Sequence, residues 1–133
     1  MKILITGGAG FIGSNLVKYF LKKDHIVHSL DNYSTGNIKI KGCKYFEGDI
    51  EEIDNIHQDY NLIYHLAAQS RVQPSFKNPS QTFRVNVKGT EAVCKFALNI
   101  GAKVVYAGSS SKHHNPSTSP YAMYKYLGEG ICK

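Results

Sequence analysis

The sequence predicts an α/β fold in which five parallel strands, in the order 3-2-1-4-5, form a doubly wound sheet. Three observations carry that expectation. Short apolar runs alternate along the chain with stretches of helical periodicity, as parallel strands joined by crossover helices require. The first run, Ile3-Leu4-Ile5, breaks into a turn with glycines at 7, 10 and 13. The second ends in an acidic residue, Asp31, eighteen residues beyond Gly13.

Each element follows in order. Ile3 to Ile5 suit a strand covered on both faces, and Thr6 to Gly10 cannot continue it. Glycine allows a tight turn, admits a pyrophosphate with no Cβ in the way, and lets the next helix pack close to the strand. The open N–H groups of that helix would face phosphate charge. A glycine triplet alone also fits an ordinary strand-to-helix loop, but its place between strand and helix, with Asp31 able to meet ribose hydroxyls, points to a dinucleotide. Leu16, Val17, Tyr19 and Phe20 repeat at helical spacing up to Lys22-Lys23-Asp24. His25 to Asp31 reads as the second strand and 32–37 as a polar loop. Tyr45 to Ile50 reads as a third strand delivering Asp49 to the same edge, followed by a short acidic helix over 51–57.

Leu62 to Ala68 reads as a fourth buried strand, and its small end, Ala67-Ala68, fits either a flat group passing over it or simple close packing. His65 reads as a satisfied core histidine. Gln69 to Asn78 is expected to be a loop, with Pro79 opening a long helix over 80–100. Phe83, Val87, Cys94 and Leu98 form its expected buried stripe, and Gly101 its C-terminal cap. Gly89 inside that helix costs about 1 kcal/mol relative to alanine, which implies a close neighbour. Lys103 to Gly108 reads as the fifth strand, ending at Ser109-Ser110-Ser111. Ser119 and Pro120 then read as N-cap and first residue of a helix carrying Tyr121 and Lys125.

Length and composition bound the rest. A chain of 133 residues is expected to be one domain, spanning 1–133 without a second, substrate-binding one. The net charge of +6 is spread along the sequence, densest at Lys39, Lys41 and Lys44, so a solvated surface is favoured and no nucleic-acid partner is expected. Cys43, Cys94 and Cys132 are odd in number, far apart and without metal-like spacing, which fits reduced thiols in the cytoplasm. The apolar start is too short for a signal or a membrane span, so neither secretion nor insertion is expected. His113 and His114 are adjacent, a poor arrangement for one ion, and no metal is expected.

Tyr121 and Lys125 lie four apart on one helix face. A free tyrosine has a pKa of about 10, too high for a base at neutral pH, but a nearby ammonium and an oxidised nicotinamide would favour its phenolate. Such a phenolate can take a proton from a sugar hydroxyl as hydride leaves the carbon.

Taken with Thr6-Gly7-Gly8-Ala9-Gly10-Phe11-Ile12-Gly13, Asp31-Asn32, Gly48-Asp49-Ile50, His65-Leu66-Ala67-Ala68-Gln69, Asn86-Val87-Lys88-Gly89-Thr90 and Tyr121-Ala122-Met123-Tyr124-Lys125, the chain resembles the extended short-chain dehydrogenase/reductase family, in particular its nucleotide-sugar epimerases. The resemblance implies a Rossmann-type domain binding NAD and a nucleotide-sugar substrate. It implies cofactor contacts at Gly7, Gly10, Phe11, Ile12 and Gly13, at Asp31, Asn32, Ser34, Thr35 and Gly36, at Asp49 and Ile50, at Leu66, Ala67, Ala68 and Gln69, at Asn86, and at Tyr121 and Lys125. Asp31 would hold the adenosine ribose and favour NAD over NADP, and Asp49 with Ile50 would flank the adenine. Tyr121 and Lys125 would be catalytic, with Ser109, or else Ser110, as the assisting serine. Related dehydratases and decarboxylases need an extra acid beside the catalytic hydroxyl. Here the neighbours are Ser110 and Ser111, which tilts the expectation to epimerisation. The Val-Tyr-Gly element usual after the serines is replaced by Lys112-His113-His114, and the family's sugar-nucleotide domain has no counterpart in this sequence. Strand five then becomes a sheet edge, and a homo-oligomer through the long helices or that edge is expected. The alternative class is a non-catalytic NAD-binding or assembly module.

Overall fold

The computed structural model describes residues 1–133 apart from the side chain of Lys112. Its sheet has five strands, β1 (Lys2–Thr6), β2 (Ile26–Asp31), β3 (Lys44–Glu47), β4 (Leu62–His65) and β5 (Lys103–Tyr106), in the order β3-β2-β1-β4-β5. All pairings are parallel, as expected. β1 lies between β2 and β4, so Ile3, Leu4 and Ile5 have no exposed surface. Successive side chains of a strand point to opposite faces, and this run feeds two cores. Ile3 and Ile5 pack with Val17, Phe20 and Val27 on the side of α1 (Phe11–Leu21). Leu4 packs with Ile53, Ile63, Val93 and Phe96 beneath the 3₁₀ helix Ile50–Ile56 and α4 (Gly89–Ile100).

The long helix expected over 80–100 is helical throughout but not uniform. α3 (Pro79–Phe83) passes through a π-turn, Arg84–Lys88, into α4. Asn78 caps α3, its side chain accepting from Gln81 N–H at 3.1 Å, and Gly101 ends α4 in the left-handed region at φ 69°. The missing side chain of Gly89 has the neighbour its position implied, since a Cβ there would run into Ile50.

Several expectations need correction. In α1 Tyr19 is exposed while Val17 is fully buried, because the sheet takes only the face bearing Gly13, Val17 and Phe20. β3 stops at Glu47, leaving Asp49 beyond it as the residue that opens the 3₁₀ helix. The stretch 69–78 is not all loop. α2 (Val72–Lys77) forms there with Pro74 in its first turn, where a missing N–H breaks no intrahelical bond. The buried stripe of the long helix is Thr82, Asn86, Thr90, Val93, Phe96 and Ala97, whereas Leu98 is 82% exposed. Phe83 and Cys94 face the last helix, α5 (Pro120–Ile131), through an edge contact with Tyr124 and a 3.6 Å approach to Cys132 Sγ. Cys94 and Cys132 are thus neighbours in space, although 38 residues apart in sequence. Burial pushes the Cys132 thiol up to about 12 and that of Cys43 to about 11, which keeps both protonated at neutral pH.

Among the described residues, no helix is long and apolar enough to cross a membrane, and no group of three His, Cys, Asp or Glu side chains could hold a metal.

Candidate functional site

A cleft of about 440 Å³ runs along the carboxyl edge of the sheet. Its floor at one end is the glycine turn between β1 and α1. Gly7 has φ 76°, and its N–H donates to Leu30 O at 2.8 Å, tying the turn to β2. A Cβ on Gly13 would collide with the Gly7 carbonyl, so the first turn of α1 lies directly against the strand end. No side chain caps α1 at Gly10, which leaves its leading N–H groups open to the cleft.

Asp31 has a role that sequence reasoning did not foresee. Its Oδ2 accepts from Ala9 N–H and its Oδ1 from Tyr33 N–H, both at 2.9 Å. The carboxylate therefore braces the glycine turn and the following loop at once. Each oxygen keeps a further lone pair for a hydroxyl donor. Beside it, Asn32 Nδ2 donates to Asp49 Oδ1 at 2.9 Å, and Arg84 closes the wall with Nη1 2.7 Å from Glu51 Oε1 and 3.9 Å from Asp49 Oδ2.

The cleft's middle is organised by a buried hydrogen-bond relay. Leu66 and Ala67 N–H donate to Thr6 Oγ1, which lies 2.8 Å from His65 Nδ1. His65 Nε2 lies 2.9 Å from Thr90 Oγ1, which donates to Asn86 O at 2.8 Å. The Thr90 proton is committed to Asn86, so Nε2 must donate, and Thr6 Oγ1, already accepting from Leu66 and Ala67 N–H, gives its own proton to Nδ1, which fixes a neutral imidazole. Burial, with Lys125 adding to it, pushes His65 down to about 3. The expectation of a satisfied core histidine agrees with these contacts, and its satisfaction holds the Leu66–Ala68 segment in place. Asn86 completes that support, its Oδ1 accepting from Gln69 N–H at 2.8 Å and its Nδ2 donating to Gln69 O at 3.0 Å.

At the far end α5 brings Tyr121 and Lys125 into the cleft. Ser119 caps the helix, accepting from Ala122 N–H at 3.0 Å, and Tyr121 N–H donates to Ser75 Oγ at 3.1 Å. Lys125 is only 6% exposed, and its Nζ donates to Ala107 O at 2.5 Å. Burial pulls its pKa from 10.5 to about 8. Below pH 8 the native state carries a desolvated ammonium. Between about 8 and 10.5 it sheds its proton before the unfolded chain does, so stability rises with pH across that window. Lys125→Met is expected to raise stability at pH 7 by about 2 kcal/mol. That gain should shrink toward pH 10.5 when the two proteins are compared by denaturant unfolding. The difference between them cancels the opposing effect of the thiols. A gain that persists undiminished at high pH would contradict a buried charge at Lys125.

Of the residues anticipated, Gly7, Gly10, Phe11, Ile12, Gly13, Asp31, Asn32, Ser34, Thr35, Asp49, Ile50, Leu66, Ala67, Ala68, Gln69, Tyr121 and Lys125 line the cleft. Gly36, Asn86, Ser109 and Ser110 do not. Gly36 packs beneath the turn, where a Cβ would lie 2.6 Å from Ala9 O, and Asn86 acts from below through Gln69. Ser109 Oγ accepts from Ser111 N–H at 3.3 Å and lies 2.8 Å from Ser111 Oγ, capping a 3₁₀ turn over Ser110–His113, and Ser110 is exposed. Leu30, Gly48, Ser70, Arg84, Val85, Ala107 and Gly108 are lining residues that sequence reasoning missed. Ala107 and Gly108 were within reach of the rule that such sheets bind at the carboxyl ends of their strands. Arg84 gave no signal, because its carboxylate partners lie 33 and 35 residues away in sequence.

A parallel sheet in this order, with a glycine turn, an acid at the end of β2 and a cleft across the carboxyl edge, defines a dinucleotide-binding domain of Rossmann type. The chain belongs to the NAD dependent epimerase/dehydratase family, whose sequence profile matches residues 3–133. It is 32% identical to a Methanocaldococcus jannaschii protein provisionally named a UDP-glucose 4-epimerase, over 98% of this chain and 50% of that one. It is 30% identical to the UDP-glucuronic acid decarboxylase 1 of Danio rerio, over 90% of this chain and 30% of that one. Its fold superposes on the UDP-glucose 4-epimerase of Brucella ovis in complex with NAD with a TM-score of 0.88 and 26% identity, covering 98% of this chain and 46% of that one. The chain thus spans half or less of the length of these relatives. The cofactor of the family is NAD.

Proposed function

We propose that this chain is the NAD-binding part of a nucleotide-sugar epimerase. The observation that carries this reading is the single cleft that joins the glycine turn and Asp31 to Tyr121 and Lys125. The residues present fit the cofactor. An uncapped helix N-terminus suits a pyrophosphate, Gly13 keeps the approach free, and the Asp31 carboxylate suits free ribose hydroxyls while repelling a 2′-phosphate. Asp49 and Ile50 would bound the adenine end, and Leu66 to Gln69 the middle. When bound, NAD supplies a nicotinamide that accepts a hydride from the sugar and returns it to the opposite face.

The chain's own part is proton handling. Tyr121 Oη takes the proton of the sugar hydroxyl and later gives it back, with Lys125 lining the same end of the cleft. With its pKa about 8, Lys125 is still mostly charged at pH 7. The neighbours Ser110 and Ser111 supply no extra acid of the kind dehydration or decarboxylation needs, which supports inversion. A nucleotide diphosphate sugar is the proposed substrate. The three free cysteines, Cys43, Cys94 and Cys132, support a cytoplasmic site of action. The open edge of β5, with Val105 exposed, and the exposed Tyr126 and Leu127 of α5 support assembly with a second copy.

A second reading has its own observation. Ser109 is turned to Ser111 rather than into the cleft, which favours a module that holds NAD without turnover. The two are separated by incubating the protein with NAD and each of several nucleotide sugars and following the sugar ring protons by NMR. Inversion at one carbon with no net loss of NAD supports the epimerase. Binding of NAD with unchanged sugars supports the module.

A further inference from the structure

A buried ammonium ordinarily needs a counter-charge. Among the described residues, no carboxylate is in ion-pair contact with Lys125. In that place lies an aromatic face. Lys125 Nζ sits 4.4 Å from the centroid of the Tyr106 ring, and the Tyr106 hydroxyl donates to Lys125 O at 3.3 Å. The ring is therefore tied to the backbone of the residue whose side chain lies over it. Gly128, one turn on, makes the room, since a Cβ there would lie 2.5 Å from Tyr106 Oη. His65 lies against the same ring, with centroids 5.7 Å apart.

We propose that Tyr106 is a positioning residue whose ring face holds the Lys125 ammonium on the cleft floor, in the place a carboxylate would otherwise take. The Ala107 carbonyl is the second holding group. The titratable and charged groups that face this pair are His65 on β4, Cys94 on α4, Tyr121 and Glu129 on α5, and Cys132 at its C-terminal cap. His65 is neutral, Cys132 holds its proton, and burial raises Tyr106 itself, so these three keep one state across neutral pH.

The inference rests on the proposed function only for what Lys125 does, because the geometry of the pair stands without it. The test reads the amine directly. Protein labelled with ¹³C at lysine Cε is titrated by NMR as wild type, Tyr106→Phe and Tyr106→Leu. The phenylalanine variant keeps the ring face and should titrate within about 0.3 unit of wild type. The leucine variant loses it, and its Lys125 midpoint should fall by about one unit. A ring that merely packs would, on removal, admit water and move the midpoint upward, so an unchanged or raised midpoint overturns the proposal. Should the leucine variant not fold, a series of progressively fluorinated phenylalanines at position 106 weakens the ring face at nearly constant shape. A stepwise fall of the midpoint supports the proposal, and a flat series overturns it. These outcomes concern Tyr106 alone, whereas the proposed function fails only on NAD binding or sugar inversion.

Discussion

Gly13→Ala is expected to abolish NAD binding and to destabilise the domain by about 3 kcal/mol. The new methyl group would collide with the Gly7 carbonyl and the Gly8 Cα, both main-chain atoms that cannot rotate away. In an exposed helix the same change would stabilise by about 1 kcal/mol, so the sign as well as the size is diagnostic. Relief requires α1 to lift from the end of β1. That movement would turn its uncapped N–H groups away from the cleft and open the core around Val17 and Phe20. Denaturant unfolding and calorimetric titration of NAD read the two effects separately. A variant of wild-type stability would contradict the close approach of helix and strand.

Tyr121→Phe is expected to lower sugar inversion by about 10² to 10⁴, the usual contribution of a positioned acid–base group. NAD affinity should change only a few-fold. Ser119 and Ser75 hold the start of α5 through the N–H groups of Ala122 and Tyr121, and the substitution leaves both contacts in place. The loss should therefore appear in turnover and not in folding. Retention of full inversion would remove Tyr121 from the chemistry.

The two ends of the cleft were unequally legible. The glycine turn, the strand order and the capping of α5 by Ser119 and Pro120 rest on local chemistry that the sequence states outright: φ freedom, alternation of buried faces and a side-chain oxygen at an N-cap. What could not be read locally was set by contacts across the fold. The π-turn at Arg84–Lys88 left no mark in the apolar spacing, and Leu98 fitted the expected stripe although the sheet and α5 claim other faces of the helix. Asp31 was legible as an acid at the right place. Its bracing of Ala9 and Tyr33 was not, because both bonds depend on loop backbone that turns only in the folded chain. β5 stops at Tyr106, so Ala107 and Gly108 separate it from the serine run, and the side-chain direction of Ser109 is set by the 3₁₀ turn that follows it.

The double duty of Asp31 also decides how the central claim should be tested. Asp31→Ala would remove ribose recognition and the brace together, so its failure to bind could not separate them. Asp31→Asn keeps one of the two braces, because an amide has a single acceptor oxygen, and loses the charge; a loosened turn weakens both nucleotides alike, so the ratio of their affinities reads the charge. The most direct measurement is calorimetric titration of NAD and NADP into the wild type and this variant. The wild type is expected to bind NAD at least about tenfold more tightly than NADP, because the carboxylate meets free hydroxyls and repels a 2′-phosphate, and the asparagine variant should narrow that gap. A folded chain that binds neither nucleotide, or binds NADP as well as NAD, would contradict the assignment of this cleft to NAD.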